Sequence, residues 1–310
     1  MVDISRATTN VSSLLPADVS QEISAKMLEA SIIQQLARRV SVGGPGLTIP
    51  VISGEPTAAW TAETARKPIS THTLNKLLLT PKKLAVIEPF SDEFRRDLPG
   101  LYQELVRRLP LSLAKKFDAD ALYGDRSQIG SLYSATAAAA ANADQQVLDG
   151  TGTYQDVLDG ITKIANNGYD ATGIAVSPSG EALMMGAVTS AGSPLFLPSA
   201  VSSSGIGSVF GRPVYRSRAV TKTGLDADGS AIGATTFTSL GVVGDWSQAI
   251  WGAVANISVS FSDQATLYVD GGVNDINLWQ QNMFAVRAEI EIGFVVADPK
   301  AFALYTTAAV

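Results

Sequence analysis

Ser112 and Lys115 are the first residues in this sequence whose types and spacing could do chemistry. A lysine three positions after a serine can be the base that activates the serine hydroxyl in acyl-transfer enzymes. These two residues lie inside a segment with helical periodicity, and the companion motifs of such enzymes are absent from the sequence. We therefore interpret the match as chance.

Two further stretches resemble ligand-binding loops only in part. Asp226, Asp228 and Gly229 imitate the start of a calcium-binding loop. Position twelve of that loop is Phe237, where a bidentate glutamate is required. The glycines within residues 205–211 lack the Lys-Ser/Thr pair of a phosphate-binding loop. We interpret both stretches as flexible turns, so the sequence predicts no metal site and no cofactor.

Thiol and imidazole chemistry is almost excluded by composition. The chain has no cysteine, which removes thiol nucleophiles, thiolate metal sites and disulfides. His72 is the one histidine, and no Ser/Asp pair can be associated with it from sequence. A solvated or interface histidine is the better interpretation. The sequence thus shows no conventional active site.

The overall composition is that of a folded, acidic protein. Of the 310 residues, 46% are hydrophobic, enough for one or two domains with a sizeable core. The net charge of -6 argues against a basic surface that recognises nucleic acid. No signal peptide and no apolar run long enough to span a bilayer is found, so we expect neither secretion by a signal peptide nor insertion into a membrane.

The first half of the chain should position any functional surface. Apolar residues at helical spacing predict an amphipathic helix from Val19 to Val40, with Arg38–Arg39 in its last turn. A long β-hairpin is then predicted from Leu47 to Pro89, around a polar turn at Glu63 to Pro68. Its strands exceed the ordinary length, and neither has an apolar face that its own domain could bury. Such an arm needs a partner surface.

The rest of the chain alternates helices, loops and strands. Leucines every four residues predict a long helix from Asp97 to Tyr123, bent or interrupted at Pro110. The alanine-rich residues 135–143 suggest a domain boundary. Further predictions are a helix at 154–165, a strand at 173–177, a helix at 178–188, loops at 190–208 and 221–234, and a β-rich segment from 235 onward.

The order of these elements, together with short motifs, resembles the major capsid proteins of tailed bacteriophages, which have the α+β Hong Kong ninety-seven capsid fold. The resemblance covers nearly the whole chain and is thin between Ser190 and Ala234. The matching segments are Leu14-Leu15-Pro16, Ile49-Pro50, Ala59 to Glu63 with Lys67-Pro68, Lys82-Lys83-Leu84, Phe90 to Glu93, Gly211 to Tyr215, Gly244-Asp245-Trp246, Asn282 through Arg287, and Asp298 to Phe302.

The resemblance implies a division of the chain and a structural, non-enzymatic function. A subunit of this kind self-assembles into pentamers and hexamers of an icosahedral shell around double-stranded DNA, in a virion assembled in the host bacterial cytoplasm. The alternative is a soluble α+β ligand-binding or hydrolase-like domain, which a small molecule retained by the monomer would favour. The implied regions are an N-terminal arm (1–46), an extended loop (47–90), a peripheral domain with a spine helix (91–145 and 253–310) and an axial domain (146–252).

The resemblance also implies partners besides further copies of the chain. Because the chain starts directly at the arm, we expect a separate scaffolding protein or another assembly aid, a portal and, in some shells, a decoration protein. The acidic balance predicts weak DNA contact without sequence specificity, because dense basic patches would retain the genome. Lys26, Arg38 and Arg39 are the cations expected to approach phosphates.

The extended loop carries the predicted interface residues. Trp60 precedes the tip, where a large aromatic side chain can fill a pocket on a neighbouring subunit. Glu63, Arg66 and Lys67 at the tip should then make polar contacts between subunits. A simple solvated turn is the competing interpretation.

Lys76, Asn282 and Glu289 form a candidate isopeptide site by resemblance. In covalently linked members of the family, a loop lysine attacks an asparagine of another subunit, assisted by a glutamate seven positions after that asparagine. Such chemistry needs a neutral amine and a desolvated carboxylate that takes its proton. A Lys76 salt bridge and an Asn282 backbone hydrogen bond would explain the same residues.

Overall fold

The computed structural model describes residues 27, 31–53, 58, 60–61, 63, 66–67, 69, 73–92, 101–134, 143–148, 153–186, 197–198, 207–226, 236–268 and 275–307. The helices in this part are α1 (Ile32–Leu36), α2 (Leu101–Tyr123), α3 (Thr153–Asn166) and α4 (Pro178–Gly186). The strands are β1 (Arg38–Arg39), β2 (Leu47–Ser53), β3 (Thr73–Leu79), β4 (Lys82–Ser91), β5 (Asp144–Val147), β6 (Gly173–Val176), β7 (Leu197–Pro198), β8 (Gly207–Val209), β9 (Arg212–Arg216), β10 (Lys222–Asp226), β11 (Thr236–Gly244), β12 (Ala249–Ala253), β13 (Ser258–Ser262), β14 (Thr266–Leu267), β15 (Ile276–Asn277), β16 (Met283–Val296) and β17 (Phe302–Thr306).

Two larger sheets carry the body of the protein. A five-stranded sheet has the order β1-β12-β16-β13, and β4 pairs with β16 as well. An eight-stranded sheet has the order β5-β17-β11-β6-β9-β8-β7, and β10 pairs with β11. Helices and strands are thus combined in one chain, which confirms the predicted α+β class.

The five-stranded sheet is organised around the long strand β16. Along this strand Phe284, Val286 and Ala288 are buried, whereas Arg287 is exposed and Glu289 is partly exposed between them. Because successive strand residues point to opposite faces, one face of the sheet is apolar and the other is charged. The charged face remains available for contacts outside the chain.

Helix α2 covers the apolar face of that sheet. Leu109 and Phe117 are buried, and the Phe117 ring meets Phe294 of β16 edge to face, with centroids 6.3 Å apart. Pro110 lies inside the helix without ending it. Of the two alternatives predicted at Pro110, an interruption is wrong and a bend stays a prediction, while the predicted end at Tyr123 is confirmed.

Helices α3 and α4 pack on the eight-stranded sheet. Tyr305 of β17 is fully buried, and its hydroxyl donates a hydrogen bond of 2.9 Å to the Val157 carbonyl of α3. Burial raises the pKa of Tyr305, so the phenol stays protonated. A Cβ atom at Gly160 would lie 2.5 Å from the Tyr305 ring, so only glycine permits this approach.

Asp118 of α2 is a buried carboxylate that holds the start of α1. It accepts hydrogen bonds from the Ser31 hydroxyl at 2.6 Å and from the backbone N–H groups of Ile32 at 2.9 Å and Ile33 at 3.4 Å. Burial raises the pKa of Asp118 to about 6, against the opposing effect of these hydrogen bonds. The Asp118 hydrogen bonds thereby tie the N-terminal arm to the long helix, beside the apolar packing of Ile32 and Ile33 in the same core cluster.

The hairpin is formed by β2 and β3, with Leu47 opposite Leu79 at its base. Leu79 is fully buried and packs with Val42 and Ile250 in a small cluster where the hairpin joins the body. Pro50 in β2 has no N–H group, which suits a ribbon whose outer edge carries no further strand.

The predicted N-terminal helix ends earlier than expected. Helix α1 stops at Leu36, and Arg38–Arg39 form β1 instead of a last helical turn that continues to Val40. This strand pairs in parallel with β12, so hydrogen bonds to the sheet replace those of the helix. Residues 1–26 and 28–30, which include the predicted start of the helix, lie outside the described residues.

The predicted hairpin is too long, because β4 leaves it after Leu79. All ten residues of β4 pair with β16, and its partly buried Leu84 and Val86 pack against the main core. The predicted loop at 221–234 is also wrong at its start, where β10 pairs with β11. The predicted loop at 190–208 is wrong where β7 pairs with β8.

The remaining element predictions agree more closely with the structure. The helices predicted at 154–165 and 178–188 are α3 and α4, and the strand predicted at 173–177 is β6. The domain boundaries stay predictions. Within them, β17 from the range 253–310 lies in the eight-stranded sheet, and β12 from the range 146–252 lies in the five-stranded sheet.

Candidate assembly interface

The tip of the hairpin carries the most exposed aromatic side chain among the described residues. Trp60 is fully exposed, and Glu63, Arg66 and Lys67 beside it are exposed as well. Trp60 therefore belongs to no core of this chain. Its predicted role as an interface anchor, and the polar contacts predicted for its three neighbours, stay predictions.

Other apolar side chains of the hairpin are exposed too. Ile69 near the tip and Leu78 on β3 face solvent in the single chain. The base of the ribbon, at Leu47, Ile49, Leu77 and Leu79, is packed against the body. A monomer gains no free energy from these exposed groups, whereas a contact that removed them from water would be favourable by about 25 cal/mol per Å² of apolar surface.

The three residues of the candidate isopeptide site lie on different parts of the chain. Lys76 is exposed on β3, opposite Pro50. Asn282 has a left-handed backbone with φ of 50°, and its carbonyl accepts a hydrogen bond of 2.9 Å from the Asp92 N–H. Asparagine tolerates this conformation better than most residues. The alternative role considered for Asn282, a backbone hydrogen bond, is thus present in the structure.

Glu289 stands on the charged face of the five-stranded sheet. Its carboxylate lies 3.7 Å from Arg287 Nε and 4.0 Å from Lys83 Nζ. Seven positions along an extended strand span roughly 23 Å, so Glu289 cannot act on the same lysine as Asn282 of its own chain. An isopeptide site would therefore need Asn282 and Glu289 from different copies.

The two arginines predicted to approach DNA lie on the edge strand β1. Both are exposed, and the guanidinium carbon of Arg39 lies 5.4 Å from the centre of the Trp251 ring. This cation–π contact orients Arg39 along the sheet. Lys26, the third predicted cation, lies outside the described residues.

A cavity of about 490 Å³ lies between the end of α2 and the first residues of β4. Its rim includes Lys82, Lys116 and Asp120, and its floor includes Phe117. Lys116 and Asp120 form a salt bridge of 3.0 Å across one turn of the helix. This arrangement stabilises the helix end.

The chemical motifs considered from sequence do not assemble into a site within the described residues. The Ser112 hydroxyl donates a 2.9 Å hydrogen bond to the Leu109 carbonyl of its own helix, which agrees with a chance match to Ser-x-x-Lys. No group of three or more acidic or histidine side chains that could hold a metal occurs in the described part of the chain. His72 lies outside it.

Two exposed aromatic residues were missed by the sequence reasoning. Tyr268 and Trp279 flank a short ribbon, β14 and β15, just before β16. Tyr268 is 79% exposed and Trp279 is 73% exposed. Two large aromatics close to a polar segment rich in glycine, aspartate and asparagine were the available signal.

Comparison with known proteins gives one consistent result. The model of the phage capsid family matches residues 12–307. A probable major capsid protein, gp17, of Mycobacterium phage D29 is 31% identical over 297 residues, covering 94% of this chain and 89% of that protein.

Solved structures from phages share the fold. One from Gordonia phage Cozz is 24% identical, covers 90% of this chain and 87% of the other, and superposes with a TM-score of 0.65. One from Mycobacterium phage Ogopogo is 18% identical, covers 90% and 92%, and has a TM-score of 0.66. Within the described residues, no helix is long and apolar enough to cross a membrane.

Proposed function

The chain belongs to the phage capsid family, and from that premise we propose that it is the major capsid subunit of a tailed bacteriophage, closing with many copies of itself into an icosahedral shell. It is a structural protein and not an enzyme. The observation that carries the proposal is the family match across residues 12–307. Family membership also argues against the alternative of a soluble ligand-binding or hydrolase-like domain.

The exposed hairpin gives this function a physical basis. A ribbon that leaves Trp60, Ile69 and Leu78 in water can bury them on another copy. When the hairpin of each copy lies on the next, the contact is heterologous, and such contacts close into rings. Pentamers and hexamers are the rings that an icosahedral shell requires. Trp60 would anchor the contact, and Glu63, Arg66 and Lys67 would form its polar rim.

Partners and location follow from the same function. The virion is the location of a capsid protein, and we propose assembly in the cytoplasm of the host bacterium. A scaffolding protein would supply curvature during assembly, a portal would occupy one vertex, and a decoration protein could bind the outside. Packaged double-stranded DNA would be contacted through Arg38 and through Arg39, which already makes a cation–π contact within the chain. The contact would be weak, because the chain carries a net charge of -6.

A covalent crosslink among Lys76, Asn282 and Glu289 remains a separate proposal. In that reaction the Lys76 amine would attack the Asn282 carboxamide, forming an amide bond and releasing ammonia. Glu289 of a copy other than the one that supplies Asn282 would take the proton that the amine loses and pass it to the leaving ammonia. In the single chain Lys76 is exposed, so the desolvation that this chemistry needs would have to come from assembly.

Boiling assembled particles in detergent distinguishes a covalent crosslink between subunits from non-covalent contacts. A ladder of multimers that Lys76→Ala abolishes would support the bond. A single band at the mass of the subunit would leave the three residues with non-covalent roles.

The assembly itself is tested by light scattering on the purified protein, alone and with its scaffolding protein. We expect species of many copies from the natural chain. Trp60→Ala should lower their yield while the circular dichroism of the unassembled subunit stays unchanged. Loss of subunit folding on this substitution would contradict an interface role for Trp60.

A further inference from the structure

The cavity between the end of α2 and the first residues of β4 concentrates positive charge. Its lining includes two carboxylates and four cationic side chains, from Asp120, Asp125, Lys82, Lys83, Lys116 and Arg126. The chain as a whole is acidic, with a net charge of -6. A cleft with the opposite sign of charge from the rest of the molecule attracts anions. We call it the cationic cavity.

Strand alternation separates the two lysines at the start of β4. Lys82 pairs opposite Ile292, which is buried, so the Lys82 side chain leaves the sheet on the apolar face that α2 covers. Lys83 pairs opposite Glu291, and its Nζ lies 3.7 Å from the Glu291 carboxylate on the charged face. The ammonium group of Lys82 therefore belongs to the cavity, and that of Lys83 does not. Among the described residues, no carboxylate lies within 4.0 Å of Lys82 Nζ.

Both carboxylates of the lining are engaged within the chain. An oxygen of Asp120 lies 3.0 Å from Lys116 Nζ, in a salt bridge across one turn of α2. Asp125 accepts a hydrogen bond of 2.9 Å from the Ser127 N–H and one of 2.6 Å from the Ser127 hydroxyl. Lys116 is thus already paired, and an anion in the cavity would meet the two remaining cations.

Arg126 is held in an uncommon conformation beside the end of α2. Its φ of 63° lies in the left-handed region, which arginine rarely adopts. Its Nε donates a hydrogen bond of 3.4 Å to the Ser131 carbonyl, which orients the guanidinium group. Partial burial lowers the pKa of Arg126, as expected for a cation that has lost part of its water. A bound anion would replace that water with charge-assisted hydrogen bonds.

The loop that carries Arg126 is fixed by a glycine at each end. A Cβ atom at Gly124 would lie 2.5 Å from the Asp120 carbonyl oxygen of α2. A Cβ atom at Gly130 would lie 2.6 Å from the Phe294 carbonyl oxygen of β16, to which the Gly130 N–H donates a hydrogen bond of 2.8 Å. The loop therefore lies directly on the helix at one end and on the sheet at the other. The cavity is formed before any ligand enters, as small-molecule sites usually are.

The floor of the cavity is apolar. Phe117 and Ile292 are buried, and Leu84 and Ile129 beside them are partly buried. The volume of about 490 Å³ lies within the range of about 300–1,000 Å³ that is typical of small-molecule sites. A cationic rim above an apolar floor fits a ligand with an anionic group and a flat, less polar part. A nucleoside phosphate has both.

We propose that the cationic cavity binds a nucleoside phosphate. Lys82 and Arg126 hold the phosphate, because a lysine ammonium and an arginine guanidinium both form charge-assisted hydrogen bonds with phosphate oxygens. The base lies over the floor at Phe117 and Ile292. The same chemistry is offered by a free nucleotide and by a nucleotide unit of a DNA strand. The site lies within one chain, so the proposal goes beyond the proposed function and does not depend on assembly.

Calorimetric titration of the unassembled full chain with deoxyadenosine monophosphate tests the site. Lys82→Ala should raise the Kd at least about tenfold, because a charge-assisted hydrogen bond to the phosphate is lost. The matched control is Lys83→Ala, which removes the same charge one residue away on the other face of the sheet. It should change the Kd less than about twofold in about 0.15 M salt, which screens distant charges.

Arg126→Asn tests the second cation. Asparagine accepts the left-handed backbone of this position and removes the guanidinium group. We expect the Kd to rise at least about tenfold here too, with unchanged circular dichroism of the subunit. Deoxyadenosine, which has the base and the sugar without the phosphate, should bind to the natural chain at least about tenfold more weakly than the monophosphate.

A titration with single-stranded oligodeoxyadenylate distinguishes the two sources of the ligand. Binding that Lys82→Ala weakens at least about tenfold would assign the cavity to nucleotide units of a DNA strand as well. Binding of the monophosphate alone would assign it to free nucleotides. The proposal would be overturned if neither probe bound to the natural chain with a Kd below about 1 mM. Equal Kd values in Lys82→Ala and Lys83→Ala, or equal affinities for deoxyadenosine and its monophosphate, would overturn it as well.

Discussion

The eight-stranded sheet and the hairpin differ in the solvent exposure of their large apolar side chains. In the sheet, Phe302 and Tyr305 are fully buried between helices and neighbouring strands. In the hairpin, Trp60, Ile69 and Leu78 are left in water. The sheet obtains its stability inside the chain, whereas the hairpin leaves apolar surface for a contact outside it. Exposure of apolar residues in one region, beside a well-packed core in another, is the property we expect of an assembly surface.

The exposed side chains of Tyr268 and Trp279 belong with the hairpin in this comparison. Both residues stand next to fully buried or partly buried leucines, so the fold had the means to cover aromatic side chains at this end of the molecule. Their exposure is set by strand register and by the turn at Asn277, and not by a shortage of core.

The largest effect on folding should come from the core of the eight-stranded sheet. Phe302→Ala removes a ring that packs edge to face on Trp246, with centroids 5.3 Å apart. Such a truncation in a buried site costs about 3–5 kcal/mol in the free energy of unfolding, because a cavity remains. Urea unfolding of the unassembled subunit measures this loss. A loss below about 1 kcal/mol would mean that Phe302 contributes to folding no more than a surface residue.

The link between the N-terminal arm and helix α2 should show a pH dependence. Asp118 has a pKa of about 6 in the folded chain and an ordinary value of 3.8 otherwise, so the folded state binds the proton more tightly. The free energy of unfolding should therefore fall as the pH rises from about 4 to about 6, by on the order of 3 kcal/mol, and stay lower above that.

Asp118→Asn should remove this fall. Its amide can still accept the Ile32 N–H and donate to the Ser31 hydroxyl, and it carries no charge to desolvate. Unfolding at pH 4.5 and pH 7 compares the variant with the natural chain, and Asp170→Asn, at an exposed carboxylate, is the matched control. An equally steep fall in the Asp118→Asn protein would show that another group causes it.

The smallest effect on folding should come from the hairpin tip. Trp60→Ala removes a ring that touches no core, so the free energy of unfolding should change by less than about 0.5 kcal/mol. The same urea measurement applies, with Phe302→Ala as the contrasting variant. A loss above about 2 kcal/mol would place Trp60 in a packed site and remove the difference between the two regions.

How much the sequence could predict depends on where each residue finds its partner. The long helix and α3 were predictable, because their apolar residues repeat with a helical period and face a nearby core. Arg38–Arg39 were not, because their hydrogen bonds go to β12, more than two hundred residues away. A local pattern cannot reveal such pairing. β4 was assigned to the hairpin for the same reason, since its partner β16 is equally distant.

The candidate interface was predictable only on one side. Trp60 stood out because it adjoins a polar turn in a hairpin without an apolar face. Tyr268 and Trp279 did not stand out, because nothing in a short polar segment reveals which side of a two-residue strand faces the body. Their exposure depends on the register of Leu267 with Ile276, which only the folded chain provides.

Electron microscopy of the purified chain, alone and with its scaffolding protein, tests the central claim most directly. We expect closed shells from the natural protein. We expect folded subunits and a lower yield of shells from Trp60→Ala. Monodisperse single subunits from the natural chain under both conditions would contradict the claim that the exposed hairpin is an assembly surface.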